Sequence, residues 1–371
     1  MKIMTILGCR PDLIKLSEII KKLDRHTDHI FVHTGQNHDY ELNDIFYDDL
    51  ELRKPDYFLG VARGSLGKTV GCVLKETERV LLKEKPEAVV ILGDTNSALA
   101  GIIVKRMKIP LFHLEAGNRC FDDNVPEEIN RRILDHISDI NLVYTQGQRL
   151  YLRDEGIAKD RIFVMGSPMK EILSKHIAKI QASTILDDLK LDNWKLKSGS
   201  YFLVSLHRDE NVENKENLDI LVDTIQTIQT NYGLPVIVSC HPRLKKKIEK
   251  YDEDMMGGIY FLKPFGFLDY NKLQLNAKYV ISDSGTIAEE SAILGFPAIT
   301  IRNAHERPEA TDAGSLLMTG VDKENILKCL EIAKAPTTIP SDYATTDCSD
   351  RVLKIVLGFT PYVNKYVWGK R

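Results

Sequence analysis

The sequence predicts an α/β protein of two domains, each built on a parallel β-sheet wrapped by helices. The chain has 371 residues, which exceeds the roughly 250–300 residues at which one hydrophobic core usually divides into two. Short β-branched segments alternate with helical patterns from the first residue, and this alternation is typical of a parallel sheet. It fades after Gly166 and begins again near Tyr201, so we expect two α/β halves of similar length.

The first half contains four clear strand patterns and three clear helical patterns. The strand patterns are short, apolar and rich in β-branched residues, and they are KIMTIL, HIFVH, AVVIL and PLFHL. The helical patterns repeat every three to four residues, and they are DLIKLSEIIKKL, SALAGIIVKRMK and PEEINRRILDHIS. The polar stretch at 170–200 contains no clear strand, and it is the predicted linker.

The second half repeats the alternation with YFLVSL, PVIVSC, YFLKPF, YVIS and PAITIR as strands. Its helices are predicted at Lys215–Tyr232, near Tyr270–Ala277 and at TIAEESAILG. The final segment, from Asp350, is partly helical and is expected to pack back on the first half. The predicted domains are therefore 1–170 plus 352–371, and 171–351.

Charge and cysteine content exclude several classes of protein. Lys and Arg number 50 against 53 Asp and Glu, for a formal charge of −3, so the chain offers no broad basic field for nucleic acid or an anionic membrane. Its six cysteines contain no C-x-x-C pair and are too sparse for a disulfide framework. No apolar run approaches the ~18 residues of a membrane span. These features predict a cytoplasmic protein with no nucleic-acid partner and no membrane insertion, and they are compatible with a small anionic ligand, which needs only local positive charge.

Polar and titratable residues follow most of the predicted strands. Ligands of open parallel sheets lie outside the carboxyl ends of the strands, so these residues are the candidate site. In the first half they are Arg10, Gln36, Asp94 and Glu115. In the second half they are His207, His241, the segment 282–285 and Arg302. Two halves that face each other would place both sets in one cleft.

Each of these residues also has a purely structural interpretation. Asp94 could cap the helix that begins near Ser97, and Thr286 with Glu289 matches a T-x-x-E capping box. Glu127 and Glu128 follow Pro126 at a helix start, where the helix dipole favours carboxylates. A lone histidine such as His207 is more often a hydrogen-bonded structural residue than a catalyst. Their joint occurrence at so many strand ends exceeds what capping requires.

Other chemistries lack their sequence signatures. The stretch ARGSLGKT at 62–69 resembles a phosphate-binding P-loop, but the first glycine and a preceding strand are missing. No G-x-G-x-x-G segment is present for a nicotinamide cofactor. Neither H-E-x-x-H nor a His/Cys cluster indicates a metal. We therefore expect no cofactor and no metal.

Seven short motifs in order resemble the non-hydrolysing UDP-N-acetylglucosamine 2-epimerase family, over nearly the whole chain. They are HTGQN at 33–37, GDTNS at 93–97, HLEAGNR at 113–119, PEEINR at 126–131, HRDEN at 207–211, SDSGTIAEE at 282–290 and ERPEA at 306–310. The resemblance implies a glycosyltransferase-B-like fold. That fold has two Rossmann-like domains with the nucleotide sugar between them, and a C-terminal helix that returns to the first domain.

The same resemblance implies roles for individual residues. The implied catalytic groups are Asp94, Glu115, Glu127 and His207. The implied substrate-binding residues are Arg10 and Lys15 near the sugar phosphate, Ser284, Gly285 and Thr286 at a phosphate-binding helix start, Glu290 at the ribose, and Tyr270 near uracil, with Gln36, Glu128, His241 and Arg307 beside them. A helix start presents free N–H groups to a phosphate. The family's usual SDSGG is SDSGT here, which removes one conformation that glycine allows.

Two segments resemble a subgroup that converts UDP-2-acetamido-2,6-dideoxy-β-L-talose to UDP-N-acetyl-L-fucosamine. They are GNRCFDDNVPEEINR, which is shorter than the corresponding loop of the acetylglucosamine enzymes, and FLDYNKLQLNAK. The product would supply a surface polysaccharide such as a capsule or O-antigen. The alternative substrate is UDP-N-acetylglucosamine, with UDP-N-acetylmannosamine as its product. We expect a homodimer.

The implied chemistry is elimination of UDP followed by its re-addition. The proton on carbon 2 is weakly acidic because no carbonyl adjoins it, and loss of UDP from the neighbouring carbon removes this difficulty. Inversion needs acid and base groups on both faces of the ring, and sequence does not assign which carboxylate removes the proton. A hydrolysing epimerase, a glycosyltransferase and a non-catalytic nucleotide-sugar module are the rival functions.

Overall fold

The computed structural model describes residues 1–35, 40–240, 244, 247–248, 251, 257–304 and 306–370 of the chain. Gln36 and His241 of the expected site lie outside these ranges. The chain divides into two compact units. Unit 1 is Met1–Lys175 with Ser341–Arg371, and unit 2 is His176–Pro340.

The sheet of unit 1 has seven parallel strands in the order β3-β2-β1-β4-β5-β6-β7. These are β1 (Lys2–Leu7), β2 (Asp28–His33), β3 (Tyr57–Phe58), β4 (Ala88–Leu92), β5 (Leu111–Leu114), β6 (Ile140–Val143) and β7 (Ile162–Val164). All five side chains of β4 are buried, as expected for a strand that helices cover on both faces. The strand order reverses between β1 and β4, which is where ligands of such sheets bind.

Within the described ranges, seven helices accompany these strands. They are α1 (Arg10–His26), α2 (Tyr40–Asp49), α3 (Leu66–Glu84), α4 (Gly101–Arg106), α5 (Pro126–Ile137), α6 (Gln146–Asp154) and α7 (Met169–Ala182). Helix α7 occupies the first part of the predicted linker, where the sequence pattern did not predict a helix. The reason is that Ile172, Leu173 and Ile180 are fully buried at helical spacing, and the many lysines around them masked this apolar face.

Unit 2 contains a second parallel sheet with the order β10-β9-β8-β11-β12-β13. Its strands are β8 (Phe202–Leu206), β9 (Val236–Cys240), β10 (Ile259–Leu262), β11 (Tyr279–Ser282), β12 (Ala298–Thr300) and β13 (Leu317–Met318). Its helices are α8 (Ile185–Asp188), α9 (Asp209–Val212), α10 (Lys215–Tyr232), α11 (Phe267–Asn276), α12 (Ile287–Leu294), α13 (Pro308–Asp312) and α14 (Lys323–Ile332). The order reverses between β8 and β11, which gives this sheet its own ligand-binding edge.

The C-terminal helix α15 (Cys348–Tyr366) packs on unit 1. The backbone N–H and the hydroxyl of Ser349 donate to the Glu171 carboxylate, at 2.9 and 2.6 Å. Farther along, the Phe359 ring meets Phe163 edge-on, with centroids 4.6 Å apart. The predicted return of the C-terminal helix to the first domain is therefore confirmed.

Across the part of the chain that the structure describes, the helices fall short of the length and apolar content that crossing a membrane would require.

Candidate active site

In unit 1, a buried ion pair joins the start of α1 to the end of β5. The Lys15 ammonium lies 2.8 and 2.6 Å from the two carboxylate oxygens of Glu115, and both residues are buried. The Asn118 amide donates to the same carboxylate at 3.1 Å. Buried ions need such partners, so these contacts favour an ionised Glu115 at the carboxyl edge of the sheet.

The backbone of Glu115 is in the left-handed region, with φ 67°. A residue other than glycine adopts this conformation at a cost of order 1–3 kcal/mol, and such residues cluster at functional sites. The conformation turns the chain sharply at the point where β5 ends. Strain at this residue agrees with the functional role that the sequence suggests.

Asp94, which follows β4, belongs to a second group of charges. The Arg131 guanidinium of α5 binds its carboxylate with Nε at 3.0 Å and NH2 at 2.7 Å from Oδ2. Arg131 also donates to Glu128 at 2.8 Å, so one buried guanidinium joins two carboxylates. The helical segment Asn96–Ala100 has Thr95, not Asp94, at its N-terminal cap position.

Glu127 and Glu128 occupy the first turn of α5 but differ in their surroundings. Glu128 is fully buried and binds Arg131, Arg132 and the Cys120 N–H. Burial alone would raise the pKa of Glu128, but the Cys120 donors and the guanidinium groups outweigh burial and lower it. Glu127 is half-buried and has no hydrogen-bond or ion-pair partner among the described residues. Its carboxylate is therefore the one in this turn that can accept a proton from a ligand.

The start of α1 carries Arg10 and Asp12 at the same edge of the sheet. The half-buried Arg10 guanidinium lies 5.3 Å from the centre of the Phe46 ring. Asp12 accepts from the N–H groups of Gly8 and Cys9, at 3.1 and 3.2 Å. Burial raises the pKa of Asp12 to about 6. A carboxyl group that titrates near neutrality thus lies beside the charged pair of Lys15 and Glu115.

In unit 2, the turn after β8 is anchored on the buried Asp283. The imidazole Nδ1 of His207 lies 2.7 Å from the Asp283 carboxylate, which also accepts from the N–H groups of His207 and Arg208 and from the Asn211 amide. Burial would raise the pKa of Asp283, but His207 and these donors outweigh it and lower the pKa to about 2. The second ring nitrogen of His207 has no partner within the described ranges, so it is available to a ligand.

The segment 284–286 forms the turn between β11 and α12. Thr286 stands at the cap position of α12, but its side chain makes no capping bond and instead lies 3.0 Å from the Ser284 hydroxyl. The backbone of Thr286 is right-handed, with φ −85° and ψ −10°, so threonine in place of the family's glycine loses nothing here. The Arg307 guanidinium donates to the Gly285 carbonyl at 2.6 Å, which brings positive charge to this helix start.

Tyr270 and Glu290 lie behind this turn. Glu290 is buried and accepts from the Gln274 amide at 2.7 Å, and burial raises its pKa. The Tyr270 hydroxyl lies beside the side chains of Ser205 and Ser282, and burial raises its pKa, helped by the charge of Glu290. These residues bring α11 and α12 together at the carboxyl ends of β8 and β11.

The structure thus gathers the expected residues into one set in each unit. In unit 1 these are Arg10, Lys15, Asp94, Glu115, Glu127 and Glu128. In unit 2 they are His207, Tyr270, Ser284, Gly285, Thr286, Glu290 and Arg307. Among the described residues, no group of three His, Cys, Asp or Glu side chains could hold a metal ion.

Of the three residues that organise these sets, sequence reasoning did not single out Arg131 and Asp12, and it named Asp283 only as part of the candidate segment 282–285. Arg131 and Asp283 stand in quoted motifs, PEEINR and SDSGT, but their partners are 37 and 76 residues away. The position of Asp283 immediately after a buried strand placed the segment 282–285 among the candidates, but it did not indicate that Asp283 anchors the turn after β8.

Comparisons with known proteins identify the family and the fold. The family model of UDP-N-acetylglucosamine 2-epimerase matches residues 21–357. A structure of UDP-N-acetylglucosamine 2-epimerase from Rickettsia bellii is 47% identical, covers 100% of both chains and has a TM-score of 0.93. A crystal structure of the Methanocaldococcus jannaschii UDP-GlcNAc 2-epimerase, in complex with UDP-GlcNAc and UDP, is 35% identical, covers 96% of this chain and 100% of that one, and has a TM-score of 0.87.

Among relatives, the UDP-2,3-diacetamido-2,3-dideoxy-D-glucuronate 2-epimerase of Pseudomonas aeruginosa is 33% identical, over 88% of this chain and 91% of its own length. The likeness to whole solved epimerases confirms the predicted glycosyltransferase-B-like class of two Rossmann-like domains. With 337 of 371 residues in the family match, the chain belongs to the UDP-N-acetylglucosamine 2-epimerase family and is an isomerase, a UDP-sugar 2-epimerase.

Proposed function

We propose that the chain inverts carbon 2 of a UDP-linked 2-acetamido sugar by eliminating UDP and adding it back, without release of free sugar. The observation that carries this proposal is the division of residues between the two units. Unit 1 contributes carboxylates at the ends of β4 and β5 and at the start of α5. Unit 2 contributes a helix start, arginine and histidine. The first set suits proton transfer at a sugar, and the second suits a diphosphate.

The reaction couples loss of a proton to loss of the diphosphate. A base takes the proton of carbon 2, the electron pair forms a double bond between carbons 1 and 2, and the bond from carbon 1 to the UDP oxygen breaks. The products of this half are a 2-acetamidoglycal and UDP. In the second half UDP adds back to carbon 1, while an acid delivers a proton to the opposite face of carbon 2.

The carboxylates of unit 1 have the properties that this scheme requires. Lys15 favours an ionised Glu115, and Arg131 does the same for Asp94. Glu127 has no described partner and is half-buried, so it can accept a proton without first breaking a contact. Acid–base groups of this kind typically contribute ~10²–10⁴-fold to a rate.

The residues of unit 2 suit the charge that develops on departing UDP. The N–H groups in the first turn of α12 and the positive end of its dipole favour a phosphate. The free nitrogen of His207 can donate a hydrogen bond or a proton to the leaving oxygen, because Asp283 binds the other nitrogen. Donors placed where charge develops are usually the largest single contribution to catalysis.

For the substrate, we propose UDP-2-acetamido-2,6-dideoxy-β-L-talose, with UDP-N-acetyl-L-fucosamine as the product. Support comes from the loop between Glu115 and Glu127, whose sequence resembles that subgroup. This loop is tied to the site, because the Cys120 N–H donates to Glu128 at 3.1 Å. It also presents the apolar side chain of Phe121, which is 67% exposed at φ 56° and meets the Tyr151 ring edge-on, with centroids 5.4 Å apart.

The second candidate substrate is UDP-N-acetylglucosamine. The names of the Rickettsia and Methanocaldococcus enzymes favour it. The Pseudomonas enzyme, which is 33% identical to this chain, is named for a third type of sugar. Membership of the family therefore does not identify the sugar.

One assay tests both parts of the proposal. The protein is incubated in deuterium oxide with each of the two UDP-sugars and no acceptor, and products are analysed by mass spectrometry. We expect deuterium at carbon 2 of the product sugar nucleotide. A pocket shaped for a 6-deoxy sugar leaves the extra hydroxyl of UDP-N-acetylglucosamine unpaired, at ~1–3 kcal/mol. We therefore expect a roughly 5- to 150-fold higher kcat/KM for the 6-deoxy substrate.

Each alternative outcome has a defined meaning. Complete retention of the original hydrogen would exclude the elimination scheme. Accumulation of free sugar with UDP would indicate a hydrolysing epimerase. Equal or better use of UDP-N-acetylglucosamine would transfer the proposal to the second substrate and leave the chemistry unchanged.

A further inference from the structure

A buried histidine links the two turns that carry Asp94 and Glu115. His113, in β5, is fully buried. Its Nε2 lies 2.9 Å from the carbonyl oxygen of Gly93, the residue before Asp94. Its Nδ1 lies 2.8 Å from Oδ1 of Asp135 in α5. The ring therefore connects the turn after β4 to α5, through a residue that follows His113 by 22 positions in the chain.

Asp135 in turn holds the turn after β5. Its carboxylate accepts from the Gly117 N–H, at 3.2 and 3.3 Å from the two oxygens, and from the Arg119 guanidinium at 2.7 Å. Arg119 makes two further bonds to Glu155, at 2.7 and 2.6 Å. The buried Asp135 carboxylate is thus linked to both turns. It binds the turn after β5 directly, and it is linked to the turn after β4 by way of the His113 ring.

Both partners of the His113 ring are hydrogen-bond acceptors. A carboxylate and a backbone carbonyl cannot donate, and a neutral imidazole has only one N–H. Both contacts are hydrogen bonds only if the ring carries two N–H groups, as in the imidazolium form. The Asp135 carboxylate compensates such a charge, and Arg119 with Glu155 extends the same network.

We propose that His113 is a positioning residue whose bond to the Gly93 carbonyl fixes the Asp94 turn relative to the Glu115 turn, and that Asp135 is the partner that keeps the ring doubly protonated and oriented. The inference rests on the proposed function, because it assigns the pair its purpose through those two carboxylates. Neither side chain reaches the ligand, since both are fully buried. A misplacement of about 1 Å in a reacting group can cost on the order of 100-fold in rate.

Two substitutions separate the two bonds of the ring. The side-chain amide nitrogen of asparagine falls near Nδ1 of histidine, so His113→Asn keeps a donor for Asp135 and loses the bond to Gly93. The amide nitrogen of glutamine falls near Nε2, so His113→Gln keeps the donor for Gly93 and loses the bond to Asp135. We expect His113→Asn to lower kcat ~10- to 100-fold with KM nearly unchanged, and His113→Gln to lower it far less.

A matched control is available in the same unit. His29 is also a buried histidine with an aspartate partner, with Nδ1 2.6 Å from Asp24 and Nε2 2.8 Å from the Thr5 hydroxyl. It lies near the amino end of β2, away from the site. His29→Asn should lower the melting temperature about as much as His113→Asn while kcat stays at the wild-type value.

Two measurements test the pair without reference to turnover. Nitrogen-15 NMR of the histidine side chains in the wild-type protein should show one signal pair from a ring in which both nitrogens are protonated. This signal pair should be absent from the spectrum of His113→Gln, which assigns it to His113. Hydrogen-exchange mass spectrometry should show faster exchange of the peptide at 93–97 in His113→Asn than in His113→Gln. A neutral His113 ring, or equal exchange in the two variants, would overturn the proposal even where a variant proves too unstable for kinetics.

These results distinguish failure of the inference from failure of the proposed function. If the wild-type protein epimerises carbon 2 and the two His113 variants have the same kcat, the positioning role is wrong and the function stands. If the wild-type protein does not epimerise carbon 2, the function fails, and the NMR and exchange results still decide whether the pair holds the Asp94 turn.

Discussion

Glu127 and Glu128 are neighbours in the sequence, but their surroundings give them different chemistry. Glu128 is fully buried and binds two arginines and a backbone N–H. Glu127 has none of these contacts among the described residues and is half-buried. A carboxylate whose oxygens are all occupied stabilises a fold, whereas one with free oxygens can exchange a proton. The sequence motif PEE alone does not distinguish the two.

We predict that Glu127→Gln lowers the rate of carbon-2 epimerisation by ~100-fold or more and leaves the melting temperature close to the wild-type value. The reason is that glutamine keeps the shape of the side chain but cannot take up a proton. The assay is interconversion of the two epimers at saturating substrate, with a thermal melt of each sample.

Glu128→Gln is the matched control for this prediction. It weakens the contacts to Arg131 and Arg132, so it should lower the melting temperature, since loss of one partner from a buried ion pair is strongly destabilising. Unchanged turnover in Glu127→Gln would reassign Glu127 to a structural role at the helix start.

Single residues were predictable to the extent that strand ends are predictable. Asp94, Glu115 and His207 lie immediately after strands, where the sequence analysis placed them. The partners that fix them were not predictable, because Lys15 is 100 residues from Glu115 and Arg131 is 37 from Asp94. Contacts across such separations depend on strand order, which one sequence does not encode locally.

At the scale of elements, regular patterns were predicted well and mixed ones poorly. Helix α10 has the predicted bounds Lys215–Tyr232, because Asn214 caps it and Gly233 ends it with φ 58°. Helix α7 was missed because its buried residues stand among lysines and polar residues. The capping box that was the structural alternative for Thr286 is absent, since its side chain makes no capping bond and lies 3.0 Å from the Ser284 hydroxyl.

Asp283, at the end of β11, accepts hydrogen bonds from the turn after β8. Because these bonds favour its ionised form, the stability that they contribute should depend on pH. Its pKa is lowered to about 2 in the fold, below the ordinary value of about 3.9. A lowered pKa stabilises the fold at pH values above the ordinary value, and the stabilisation disappears as the pH falls towards about 2. The contribution at neutral pH is on the order of 2 kcal/mol.

We predict that Asp283→Asn lowers the free energy of unfolding by roughly 2 kcal/mol at pH 7 and by clearly less at pH 3. Urea unfolding of both proteins at the two pH values measures the difference. Asp223→Asn is the control, because its exposed carboxylate pairs with Lys323 at the surface, where such pairs contribute little. An equal loss of stability at both pH values would contradict the ionised state of Asp283.

At the scale of the whole molecule, the two units have the same architecture and different side chains at equivalent places. Each is a parallel sheet with a reversal of strand order, at β1 and β4 in one and at β8 and β11 in the other. The sequence predicted both sheets from alternation alone. The cleft between domains, the homodimer and the exact domain limits stay predictions.

The proposed division of roles between the units predicts how UDP affects stability. A ligand that binds only the folded protein stabilises it, by about 2.7 kcal/mol at a concentration of 100 times Kd. If the helix start at 284–286 holds the diphosphate, UDP should raise the melting temperature of the wild-type protein and of Glu127→Gln alike, although Glu127→Gln has lost turnover. Differential scanning calorimetry with and without UDP measures this.

Gly285→Ala should instead lose most of the stabilisation by UDP. A Cβ at this position would lie 3.0 Å from NH1 of Arg307, the group that donates to the Gly285 carbonyl, so this guanidinium must move by a few tenths of an ångström away from the helix start that a phosphate would approach. Gly358→Ala is the control, because a Cβ there meets open space on the C-terminal helix. It should leave the response to UDP intact. Full stabilisation by UDP in Gly285→Ala, or its loss in Glu127→Gln, would show that the diphosphate binds elsewhere and that the two units do not divide the work in this way.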